Sequence, residues 1–227
     1  MTSSVMKHNH IGERITALRA TLPQGVTLIA VSKYHPAEAV QAAYDAGQRD
    51  FGESKAQDLT AKHATLPKDI NWHFIGHLQT NKVKYIAPFV HLIHSIDSYK
   101  LLCEVNRQSA KCGRRIPCLL QIHIAQEETK FGLTPQECRD LLAAGEWRAL
   151  PHIELRGIMS MGSNTTDTAQ LHGEFSQLQQ LFNEIKEQYF AGDDKFNIIS
   201  AGMSDDHPIA IAHGSTHIRI GSSIFCE

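Results

Sequence analysis

Two positive charges stand where the hydrophobic pattern leaves little room for them. The run Leu28-Ile29-Ala30-Val31-Ser32 reads as a buried strand, and Lys33 follows it at once. Near the other end of the chain, Arg219 sits inside the otherwise apolar stretch 217–221. A desolvated cation is costly unless an anionic or electron-rich group accompanies it. A lysine in such a place can act as an amine nucleophile, forming a Schiff base with a carbonyl carbon.

Two loops rich in small residues supply a candidate for the anionic partner. Ser200-Ala201-Gly202-Met203-Ser204 leads into a helix start, and Gly221-Ser222-Ser223 follows the last strand. Small residues let backbone N–H groups come close to an anion, and a helix N-terminus adds a favourable dipole. An amine facing a phosphate cradle suits two ligands. One is a phosphorylated sugar carbonyl, as in Schiff-base aldolases; the other is the aldehyde of pyridoxal 5'-phosphate (PLP). Arg219 bears on that choice, because a permanently charged guanidinium under a pyridine ring would donate to the ring nitrogen and keep it unprotonated.

Other chemistries lack their signatures. There is no G-x-x-x-x-G-K-[ST] phosphate loop and no G-x-S-x-G nucleophile elbow. His213 and His217 have the spacing of a zinc pair, but they span a glycine and a loop with no cysteine pair nearby, so no metal site is expected. The remaining histidines, with Trp72 and Trp147, read as structural. Ser95, Asp97 and Ser204 read first as helix caps.

The elements that must position Lys33 and Arg219 alternate along the whole chain. Apolar runs at 27–32, 49–52, 71–76, 91–96, 117–124, 153–159, 196–201 and 217–221 read as strands, separated by amphipathic helical stretches. The stretch 36–47 begins with proline and ends on glycine, the usual asymmetry of a helix. The longest helix, 167–190, carries Leu171, Phe175, Leu178, Phe182, Ile185 and Tyr189 on one face. A further helix near 8–20 would plug or flank the sheet. Eight βα repeats predict an α/β fold, a single-domain (β/α)8 TIM barrel spanning 1–227, whose chemistry sits at the C-terminal ends of its strands. A doubly wound open sheet is the alternative.

Composition bounds the setting. At 42% hydrophobic residues and a net charge of -2, the chain has material for a core and no charge excess for nucleic-acid binding. The five cysteines form no C-x-x-C pair, which suits reduced thiols in the cytoplasm. No apolar run approaches membrane-spanning length, and the N-terminus lacks the core of a secretory signal.

The segments VSKYHP, FGES, WHFIGHLQTNK, IHSID, EETKFG, RGIMSMG, SAGMSDD and RIGSSIF, in this order, resemble the motifs of the pyridoxal phosphate homeostasis proteins. These are relatives of the PLP-binding N-terminal barrel of alanine racemase. The resemblance implies that Lys33 holds PLP as an internal aldimine and that Arg219 faces the pyridine nitrogen. It places Ser200, Gly202, Gly221 and Ser222 around the phosphate, with Met161 and Met203 in the pocket. Two positions depart from the pattern: Ser54 stands where the family usually has asparagine, and Cys226 replaces a glycine after phenylalanine.

The expected function is that of a PLP-binding protein in the intracellular homeostasis of vitamin B6 and, indirectly, of amino acids. It would be a cytoplasmic monomer, serving apo PLP-dependent enzymes and binding neither nucleic acid nor membrane. An arginine at the pyridine nitrogen weakens the electron sink that most PLP catalysis uses. The resemblance implies that a racemase of this type takes its opposing tyrosine base from a second domain, and no such domain is expected here. The alternatives are an amino-acid racemase, with Tyr34 or His77 as the second base, and a Schiff-base aldolase.

Overall fold

Strands buried on both faces need near-continuous apolar sequence, and the apolar runs of this chain become parallel strands. The computed structural model describes residues 2–125 and 131–226. Of the EETKFG segment, residues 127–130 lie outside the described residues, while Phe131 and Gly132 lie within them. The strands are β1 (Thr27–Val31), β2 (Asp50–Glu53), β3 (Asn71–Phe74), β4 (Leu92–Ile96), β5 (Ile116–Gln121), β6 (Ile153–Met159), β7 (Ile198–Ser200) and β8 (His217–Ile220). They pair in chain order, all parallel, and β8 returns to β1 with Thr27 opposite His217 and Ala30 opposite Ile220. The sheet therefore closes into a (β/α)8 barrel, and the open-sheet alternative is excluded.

The connecting helices are α2 (Ala37–Asp45), α3 (Ala56–Thr65), α4 (Val83–Ile86), α5 (Tyr99–Lys111), α6 (Pro135–Ala144), α7 (Thr168–Tyr189), α8 (His207–Ala212) and α9 (Ser222–Phe225), preceded by α1 (Thr2–Thr21). Along α7 the expected stripe is buried from Leu171 to Ile185, and Asp167 caps the first turn by accepting from the amides of Ala169 and Gln170. The first helix flanks the barrel and does not plug it. Its Ile11 and Ile15 are buried on the outside, where α1 packs against α2 and α9, and the Arg14 guanidinium donates to the carbonyl of Ile224 at 3.2 Å.

Several strand ends fall short of the sequence expectation. β3 stops at Phe74, and Gly76 beyond it passes so near Ser54 that a Cβ there would lie 2.3 Å from the Ser54 carbonyl oxygen. β5 stops at Gln121, and Ile122 keeps one isolated bridge to Leu133. The expected caps also moved. The chain stays non-helical past Ile96, so Ser98 caps α5 by accepting from the Leu101 amide, while Asp97 meets His77 and Ser95 is buried. No helix among the described residues is long and apolar enough to cross a membrane.

Candidate functional site

A cleft of about 400 Å³ opens at the C-terminal mouth of the barrel. Lys33, Ser54, His77, Met161, Met203, Arg219, Gly221 and Ser222 all line it, so residues from six separate regions of the chain converge there. Strand order accounts for this convergence: β1 and β8 are neighbours, which brings the first-strand lysine beside the last-strand arginine.

Lys33 lies two residues beyond the end of β1, and it is exposed. The desolvation that the sequence pattern suggested is therefore relieved by position, with the ammonium on the rim of the cleft and not in the barrel core. Its backbone is held from beneath. Ser32 donates its hydroxyl to Glu53 Oε1 at 2.6 Å, and Lys62 Nζ donates both to that carboxylate oxygen, at 2.6 Å, and to the Ser32 carbonyl, at 2.8 Å. The turn that follows closes with the His35 amide donating to the Ser32 carbonyl. Tyr34 within it has φ of 69°, a conformation rare for a residue with a side chain. The Tyr34 ring is 76% exposed and is not among the residues lining the cleft. It lies under two ammonium groups, Lys33 at 5.8 Å and Lys55 at 5.5 Å from the ring centroid.

Arg219 forms part of the cleft floor and is buried. Its Nη1 donates to Ser200 Oγ at 2.7 Å and its Nη2 to the Ser160 carbonyl at 2.8 Å. Burial lowers its pKa to about 10, against the opposing pull of Asp206, so it remains charged at neutral pH. A guanidinium offers five N–H donors, and these two bonds leave others for an acceptor in the cleft.

Ser200 departs from the expected arrangement. It is fully buried, and its hydroxyl is engaged by Arg219 and by His94 Nδ1 at 2.9 Å, so it supports Arg219 from below. Gly202 is buried too, with φ of 95° and no room for a Cβ against α8. The amide of Met203 is spent on Asp206 Oδ1. Ser222 donates its hydroxyl to Ser204 Oγ at 2.8 Å, which ties the seventh loop to the eighth, and both residues line the cleft. The first amides of α9 have no acceptor within the helix, which leaves them to a ligand or water. The chemistry of the donor set fits PLP: an amine on the rim, a guanidinium on the floor, and amides with hydroxyls at one side. Met161, Ile75 and Phe131 supply apolar wall.

His77 also lines the cleft, stacked on Phe131 at 4.2 Å between ring centroids and facing Asp97 Oδ2 at 3.2 Å. His213 and His217 do not pair with each other. His213 Nε2 meets His172 Nδ1 at 2.9 Å on the surface, whereas the His217 ring packs near that of His73, and burial brings its pKa down to about 4. Sequence reasoning missed Glu53, Lys62, His94 and Ser160. A charged pair at 53 and 62, nine residues apart, was its one available hint for the first two.

The fold and the site define a (β/α)8 barrel with a lysine at the end of β1 and an arginine on β8. Residues 7–227 match the family described as "Alanine racemase, N-terminal domain". A pyridoxal phosphate homeostasis protein of Pasteurella multocida is 38% identical over 203 residues, covering 88% of this chain and 85% of that one. The solved structure of PipY from Synechococcus elongatus without PLP superposes with a TM-score of 0.88 at 36% identity, covering 95% of this chain and 99% of that one. PipY with PLP bound superposes with a TM-score of 0.85 at the same identity and coverage. The chain belongs to the alanine racemase N-terminal domain family and, within it, to the pyridoxal phosphate homeostasis proteins.

Proposed function

We propose that the protein holds PLP in the barrel-mouth cleft, with Lys33 as its covalent tether, and serves the intracellular homeostasis of that cofactor. The observation that carries this reading is the pairing, in one cleft, of an exposed amine on β1 with a buried guanidinium on β8 that has donors to spare. Lys33 Nζ condenses with the aldehyde carbon, releasing water and leaving an aldimine. Arg219 donates to the ring nitrogen. The amides and hydroxyls of the Ser204 and Gly221–Ser222 loops accommodate the phosphate, and Met161 and Met203 flank the ring. Ser200 and Gly202 act indirectly, one by bracing Arg219 and the other by letting the loop pack on α8.

The chemistry that bound PLP supplies is electrophilic: an aldehyde for amines and a ring that accepts electron density. Arg219 keeps the ring nitrogen unprotonated and so limits the second of these. That disfavours reactions that need an extended carbanion; two-base racemisation would still require a second base in the cleft, for which His77 is the candidate that lines it. We place the protein in the cytoplasm as a monomer, delivering the cofactor to apo-enzymes.

The test is direct. Protein mixed with PLP should gain an absorption band that borohydride reduction makes permanent, and peptide mass spectrometry should find the adduct on Lys33. Lys33→Ala should lose both. An adduct on Lys55, the other ammonium over Tyr34, would overturn the assignment, and a protein that gains no band would overturn the reading. Alpha-proton exchange of amino acids in deuterated water at enzyme-like turnover, lost in His77→Asn, would establish the racemase alternative.

A further inference from the structure

The barrel interior contains a polar column that the cofactor reading does not use. From Arg219 it descends through Ser200 Oγ to His94 Nδ1 at 2.9 Å, from His94 Nε2 to His73 Nδ1 at 2.9 Å, and from His73 Nε2 to Asp50 Oδ1 at 3.0 Å. Asp50 is the first residue of β2, so the column ends at the N-terminal end of the barrel, opposite the cleft. There His91, just before β4, brings its ring to 5.3 Å from that of His73. One ligand atom each from Asp50, His73 and His91 lie within 4.8 Å of one another. The His91 imidazole is exposed and has no hydrogen-bond partner among the described residues.

We propose that Asp50, His73 and His91 bind a divalent transition-metal ion of the zinc class at the N-terminal end of the barrel. Two imidazoles and one carboxylate are a borderline ligand set that suits zinc, cobalt or nickel and not magnesium or calcium. Metal–ligand bonds of about 2.0–2.2 Å require ligand atoms roughly 3.3 Å apart. Asp50 and His73 already meet that spacing, and exposed His91 can swing in to complete it. The fourth position stays open to water. His73 is buried, and its second nitrogen is hydrogen-bonded to His94, the outer support that metal-bound histidines usually have. Arg114 and Arg156 also lie near His91, and the Asp50 carboxylate offsets their charge.

Metal at this site would reverse the column. Without metal, the ionised Asp50 only accepts, so His73 donates from Nε2; with one proton on each ring, His94 donates from Nε2 to His73 Nδ1 and accepts from Ser200 at Nδ1. Metal on His73 Nε2 moves that proton to Nδ1, which donates to His94 Nε2. His94 then carries its own proton on Nδ1 and donates to Ser200, which also accepts from Arg219. Each imidazole keeps one proton and Ser200 keeps its hydroxyl hydrogen, which no longer has His94 Nδ1 as its acceptor.

The experiment uses untagged, cofactor-free full-length protein titrated with Co²⁺, read by visible absorption and calorimetry, with Zn²⁺ in competition. One saturable site should appear, and His91→Ala and His91→Gln should each weaken it by about 100-fold while leaving the melting temperature without metal unchanged. Nitrogen-15 spectra should show His73 and His94 switching from the Nε2–H to the Nδ1–H tautomer on adding Zn²⁺. Binding that persists unchanged in both His91 variants, no saturable binding, or tautomers indifferent to Zn²⁺ would overturn the proposal. These measurements use cofactor-free protein, so their failure is distinguishable from a failure of the PLP titration.

Discussion

Ser200 shows how one buried hydroxyl can hold two groups of a site in place. It satisfies Arg219 Nη1 on one side and His94 Nδ1 on the other, all three groups being buried. Ser200→Ala removes both bonds at once and leaves a charged donor and an imidazole nitrogen without partners. An unsatisfied buried polar group costs about 1–3 kcal/mol, so the variant should lose stability on that order in urea unfolding. It should also bind PLP more weakly than wild type in a titration followed by absorption, because the guanidinium is no longer braced. Ser200→Thr keeps the hydroxyl and should retain more of both properties. A cysteine-like indifference to the substitution, with stability and affinity unchanged, would contradict the bracing role.

Among the elements, the junction of β1, β2 and α3 fixes the direction of the Lys33 turn. Glu53 is fully buried and Lys62 nearly so, and this ion pair also holds the Ser32 carbonyl. Lys62→Met would strand the Glu53 carboxylate in the core, whose Oε2 already lacks a partner. Removing one partner of such a pair typically costs about 3–5 kcal/mol, whereas replacing both with apolar groups of similar size is far milder. Chemical denaturation should therefore show a large loss for Lys62→Met and a substantial recovery in Glu53→Leu/Lys62→Met. A simple Lys62→Met effect below about 1 kcal/mol would mean the pair is not structural. The β6–β7 pairing has a tight point at Gly157, where φ is 150° and a Cβ would fall 1.8 Å from the Ile198 carbonyl oxygen.

For the whole molecule, the histidines inside the barrel make stability depend on pH. Burial lowers the pKa of His217 to about 4, and burial, aided by the charges of His73 and Arg219, holds His94 well below the ordinary value of 6.5. The unfolded chain takes up protons near 6.5 while the folded chain refuses them, so unfolding becomes easier as the pH falls from there. The loss continues until the folded-state pKa is passed, near 4 for His217, and amounts to on the order of 3 kcal/mol for that residue. Melting temperature should decline steadily between pH 7 and 4, and His217→Gln should flatten part of the decline. A pH-independent melting temperature over that range would refute this account.

Periodicity and strand-forming composition determined that the chain alternates β and α, and closed-barrel logic then put Lys33, Arg219 and the Gly221–Ser222 loop at one end. Those were legible because each depends on local pattern or on a rule of the architecture. The depth of each side chain was not. Ser200 ends β7 and Lys33 follows β1 by two residues, yet one is buried under Arg219 and the other stands on the rim, because a residue or two at a strand end changes which layer a side chain occupies. The column of Asp50, His73, His94 and Ser200 was invisible in sequence for a related reason. Its members come from four strands and meet only when the sheet closes, so no spacing along the chain records their contact.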